Sequence, residues 1–181
     1  GVLGFGYLVG RLAGSFGLGS RAWAAGGDLV VGISSDIKTL DPQMSPLDVF
    51  RHTIRSTVFE ALVFINPETL KADPALAASW ETSADGLTWT FKLAPGVTWH
   101  DGKPFTAADV VYSIKRVQDK ATGSPFAPQL VAVAKAEAPD DGTVWLTLAN
   151  TVPGLLANLA VIQIVNEAKI GAIATAPVGT G

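Results

Sequence analysis

The sequence predicts a mixed α/β unit, and three observations lead there. Hydrophobic residues make up 48% of the 181 positions against 16% charged, enough apolar surface for a substantial core. Leu87, Trp89, Phe91 and Leu93 alternate with Thr88, Thr90 and Lys92, the period of a half-buried strand. Elsewhere apolar residues recur at helical spacing behind capping residues, as after Ser45 and Thr106.

Residues 1–27 form a glycine-rich apolar stretch interrupted by Arg11 and Arg21, whose longest uncharged run is too short to cross a bilayer. Ala22-Trp23-Ala24 matches the small-x-small pattern of a secretory cleavage site, with the cut before Ala25, so this stretch is read as a leader remnant or a disordered tail. "DLVVGIS" then reads as a buried strand ending in the polar turn Ser34-Ser35-Asp36. Beyond it Ser45 suits a helix cap, Pro46 its first position and Asp48 the position three after the cap. Leu47, Phe50, Ile54 and Val58 would face a core with Arg51 and Arg55 outward, and Leu62, Val63 and Phe64 continue as an extended piece.

Residues 65–80 hold two proline-marked bends and a short segment ending on Trp80. Asp85-Gly86 opens the alternating strand, Pro95-Gly96 turns the chain, and Val97 and Trp99 suggest a second extended piece, so the two read as neighbours across a hairpin. Asp101-Gly102 turns the chain again. Thr106 caps a helix in which Asp109 can reach back to the cap, Val110, Val111, Ile114 and Val117 line one side, and Lys115, Arg116 and Lys120 come late, where the helix dipole favours cations. "ATGSPFAPQL" closes it as an exposed connection. Residues 131–139 read as extended, and "DDGTVWLTL" as a turn plus a strand with Val144, Leu146 and Leu148 on one face and Trp145 and Thr147 on the other. A short helical segment carries Leu155, Leu156 and Leu159, "AVIQIV" returns to an extended pattern, and "APVGTG" follows.

The net charge of −3 supplies no broad positive field for nucleic acid or anionic lipid. The absence of cysteine excludes disulfides, thiolate catalysis and thiolate-ligated metals. His100 and Asp101 are adjacent, but neighbours in an extended segment point to opposite faces; His100 is read as structural and Asp101 as the turn residue. Asp109 is explained by its cap. His52 and Glu60 are not at chelating spacing, and no second histidine stands near. The sequence shows no G-x-S-x-G elbow, phosphate loop or dinucleotide fingerprint, so no catalytic residue, metal or cofactor is expected.

The ordered series "DLVVGISSDIKTLDP", "DPALAASWETSADGLTWTFKLAPGVTWHDGKPFTAADVVYSIKR" and "APVGTG" resembles the family-five solute-binding proteins of bacterial ABC importers, over about Asp28 to Gly181. The resemblance implies a type II periplasmic-binding-protein fold, with two lobes closing on a solute and a subdomain inserted in the first lobe. On that pattern 28–45 is the first strand and turn of the first lobe, 46–173 the inserted α/β subdomain and 174–181 the return to the first lobe, in an amino-terminal portion of a longer protein. It implies an exported, periplasmic or extracytoplasmic location, without stable membrane insertion, and a peptide or other small polar solute passed to an ABC permease complex. Nickel complexes, opines, a non-transport sensing role and, behind these, a hydrolytic enzyme stay open beside peptides. Ser35, Asp36 and Thr39 follow the first strand where the family places its cleft, and are the candidate ligand-binding residues.

Overall fold

The computed structural model describes residues 39–45 and 57–181. The expected leader remnant or tail, the expected first strand with Ser35 and Asp36 after it, and the helix expected beyond Ser45 with His52 lie outside the described residues.

Two antiparallel sheets organise the described residues. A small one pairs β1 (Val63–Ile65) with β2 (Ala72–Pro74). The larger contains β3 (Ala77–Thr82), β4 (Thr88–Leu93), β5 (Val133–Asp140) and β6 (Thr143–Leu148), in the order β3-β4-β6-β5. In antiparallel pairing, opposed residues share a face. Trp80 stands opposite Phe91, Phe91 opposite Val144, and Trp89 opposite Leu146, which gathers one apolar face. The opposite face carries Thr90, Trp145 and Glu137 in register.

The helix α1 (Ala107–Gln118) covers the apolar face, lying against β5 and β6. Its stripe of Val110, Ile114 and Val117 meets Phe91, Val144 and Leu146, all fully buried in one continuous core. Thr106 begins it as expected: the Asp109 carboxylate accepts the Thr106 amide at 2.9 Å and its hydroxyl at 3.2 Å. A short helix α2 (Leu155–Leu159) buries Leu155 and Leu159, and 3-10 turns span Ala127–Leu130 and Glu167–Ala172.

The strand at 88–93, the capped helix, the strand at 143–148 and the short helix near 155 stand as the sequence predicts. Four local expectations are corrected. The hairpin partner of β4 is the preceding strand β3, not the segment 97–99, which makes only an isolated bridge between Thr98 and Pro104. The positive φ of Gly96 and Gly102 turns that segment away from the sheet, and Trp99 is buried in the core instead, edge-on to Phe105 at 5.7 Å. Residues 65–80 accordingly hold paired strands rather than bends alone. The connection after α1 is partly interior: Ser124, Phe126 and Leu130 are buried. Finally, 161–166 belongs to no strand; its run from Ile162 to Asn166 is buried, and Ile164 donates to the Glu60 carbonyl at 2.9 Å.

Candidate functional site

The segment 39–45, "TLDPQMS", is a turn with an unusual density of buried polar groups. Thr39 Oγ1 accepts the Asp41 amide at 3.1 Å, and Asp41 Oδ1 accepts the Gln43 amide at 3.0 Å, so each side chain fixes the backbone two residues on. Asp41 and Gln43 are then 4% and 1% exposed, a burial that requires partners. Arg116, in the last turn of α1, supplies them. Its Nη1 donates to Asp41 Oδ1 at 3.3 Å and to Gln43 Oε1 at 2.8 Å, while Nη2 meets Asp41 Oδ2 at 2.5 Å. The planar guanidinium fork fits this geometry where an ammonium would not.

Gln43 completes the junction. Its Nε2 donates to the carbonyls of Gln163 at 2.9 Å and Ser113 at 3.3 Å, and its own carbonyl accepts the Ser124 hydroxyl at 2.6 Å. Ser113, inside the apolar stripe of α1, donates to the Asp109 carbonyl at 2.7 Å and accepts the Val165 amide at 2.9 Å. One turn, one helix and the buried 163–165 run are thereby locked together through polar groups. Beside them Tyr112 packs on Phe59, Val165 and Ile173; burial pushes its phenol above the usual tyrosine range, with Arg116 acting against that shift.

The segment 174–181 returns to the same end of the unit. Leu40 donates to the Ala174 carbonyl at 3.2 Å, and His100 donates its amide to Gly179 at 2.9 Å. The His100 ring lies 2.6 Å from the Gly181 oxygen through Nε2, and Nδ1 accepts the Gly179 amide at 3.4 Å. Since a carbonyl oxygen only accepts, the two contacts together place the proton on Nε2. Gly179 packs so closely on residue 58 that a Cβ would lie 1.6 Å from the Val58 carbonyl oxygen.

Of the predicted ligand-binding residues, Ser35 and Asp36 lie outside the described residues. Thr39 is half-buried, and its hydroxyl holds the turn. His100 and Asp101 serve the backbone, Asp101 Oδ1 accepting the Lys103 amide at 3.3 Å and its Oδ2 standing 3.7 Å from Lys169 Nζ. Sequence reasoning missed Gln43, Arg116 and Ser113 as one cluster. The available signal was a serine on the apolar stripe of α1, a polar group that must find partners in the interior.

The fold and junction describe a unit that ties neighbouring chain segments together and brings no reactive side chains into one place among the described residues. Residues 71–181 match the sequence profile of bacterial extracellular solute-binding proteins, family 5 Middle. The chain belongs to this family, whose place is outside the cytoplasm. A Brucella ovis protein provisionally named as an ABC transporter peptide-binding protein is 35% identical over 136 residues, 69% of this chain and 26% of that protein. MoaA of A. tumefaciens R10, solved in complex with mannopinic acid, is similar at 37% identity and a TM-score of 0.73, over 81% of this chain and 31% of that one. NikZ from Campylobacter jejuni, in complex with Ni(L-His), is similar at 26% identity and a TM-score of 0.72, over 81% of this chain and 30% of that one. The two-sheet α/β architecture is thus that of type II periplasmic binding proteins. The chain spans about a quarter of the length of the curated relatives it matches, 26% for the Brucella protein.

Proposed function

We propose that this chain is part of the solute-binding component of an ABC importer, capturing a peptide or similar small polar solute outside the cytoplasm and delivering it to a permease, without a chemical step. The observation that carries this reading is the family match over 71–181, joined to a polar junction that holds residue 40 beside residue 174. That proximity supports a division in which 28–45 and 174–181 belong to a first lobe and 46–173 is inserted between them. Ser35, Asp36 and Thr39 then lie on the cleft side of the first lobe, with the opposing jaw supplied by sequence that the longer relatives carry. Side chains there would orient the solute by hydrogen bonds, and closure would exclude water and strengthen them.

A second reading within the family, an opine or a nickel chelate as solute, is favoured by the mannopinic acid and Ni(L-His) complexes of similar structures. Calorimetric titration of a longer protein containing this chain decides between them. Peptide binding that weakens in Ser35→Ala, Asp36→Ala or Thr39→Ala supports the first reading, and selective binding of mannopinic acid or nickel–histidine the second. Turnover of any of these solutes would refute the binding-only reading.

A further inference from the structure

We infer that a second cleft, on the face of the unit formed by the 99–106 loop, the first turn of α1 and the start of the 167–172 turn, binds a small zwitterion of the size and charge pattern of a free amino acid. The cleft offers about 480 Å³ and is broadly open to solvent, room for a small molecule. Asn166 lines it and is only 5% exposed. It occupies the N-cap position of the 3-10 turn, yet its side chain makes no capping bond and has no hydrogen-bond partner among the described residues. The amide is not among the polar atoms sealed from solvent without a partner, so it reaches the cleft and is available to a ligand offering a donor and an acceptor.

The charges around Asn166 define that ligand. Asp109 directs Oδ2 to the Thr106 amide and hydroxyl and leaves Oδ1 open, while Glu167, also lining the cleft, is in no ion pair among the described residues. Two carboxylates suit an ammonium group. On the same wall Lys103, likewise without an ion pair among the described residues, suits a carboxylate. A simple anion is disfavoured, because Asp109 already occupies the start of α1 and adds its own negative charge beside Glu167. A bare metal cation is opposed by Lys103. A molecule carrying both charges satisfies every group at once, and Trp99 gives it an apolar floor.

The inference stands apart from the solute cleft of the importer reading, since none of its residues belongs to the 35–39 segment. The test is a titration of the 181-residue chain with glycine, leucine and glutamate, followed by amide NMR shifts of residues 99–109 and 166–168. Saturable binding in the millimolar range is expected, weakened about tenfold or more by Asn166→Ala and by Lys103→Ala. Neither variant should lower the melting temperature, because Asn166 contributes no side-chain bond to the fold and Lys103 is exposed. Acetate and ethylammonium serve as single-charge probes and should bind far more weakly than glycine. Absence of saturable binding, binding indifferent to both variants, or equal binding of acetate alone would overturn the inference.

Discussion

Arg116 shows how much one side chain determines. With a side chain 14% exposed beside an Asp41 carboxylate at 6%, it neutralises a buried charge and satisfies Gln43 at the same time. Arg116→Ala leaves that carboxylate buried and unpaired, at a cost on the order of 3 kcal/mol. The cost falls on the docking of 39–45 rather than on the sheet, so hydrogen exchange at the Gln43 amide should accelerate by about two orders of magnitude while the β4 and β6 amides change little. Arg116→Lys should restore only part, lacking the fork that reaches Asp41 and Gln43 together. Gly179 is the second such position. Gly179→Ala drives a methyl onto the Val58 carbonyl and should release 179–181 from residue 58 and from His100, read as loss of the His100 ring shift in NMR. Gly96→Ala is the control: no atom stands within 4 Å, so only its φ of +75° resists, at about 1 kcal/mol.

Among the elements, the hairpin turns of the large sheet carry the acid sensitivity. Asp85 accepts the Ser83 hydroxyl at 2.5 Å and the Leu87 amide at 2.9 Å, and these bonds hold its carboxyl below the usual range. Asp140 is lowered in the same way, by the Thr143 side chain and then by the Gly142 amide. A folded-state pKa below the unfolded value means a contribution fully present above about pH 4 and lost as pH falls through the folded values. Melting curves taken from pH 6 down to pH 3 should show the wild type losing stability more steeply than Asp85→Asn and Asp140→Asn; identical slopes would remove these turns from the account. The same elements show what was legible in the sequence. Strict alternation at 88–93 and 143–148 identified β4 and β6, and the Thr106–Asp109 pair identified the start of α1. The β3 partner was obscured because the 77–82 strand mixes exposed Ala78, Ser79, Glu81 and Thr82 with one tryptophan at the sheet edge, so its period is weak. The run 161–166 misled in the opposite direction: its apolar residues reflect burial on all sides, which periodicity cannot tell from a strand. The junction was illegible for a different reason. Asp41, Gln43 and Arg116 are more than seventy positions apart in part, and only the folded chain brings them into one hydrogen-bonded set.

For the molecule as a whole, the core joins the large sheet, α1 and α2 into one body, and the polar junction fixes the 39–45 turn and the 163–165 run to α1. On the importer reading proposed above, such a unit serves as a support for one side of the solute cleft, the other side coming from the further length of the relatives. The family relatives are several times longer than this chain, and the proposed retention of solute depends on what their additional length provides. The most direct test titrates the 181-residue chain, carrying Asn166→Ala to silence the second cleft, and a longer protein containing it with the same panel of a peptide, mannopinic acid and nickel–histidine. The account predicts micromolar or tighter binding of one panel member by the longer protein and none of that strength by the chain alone. Micromolar binding by the chain alone would contradict it.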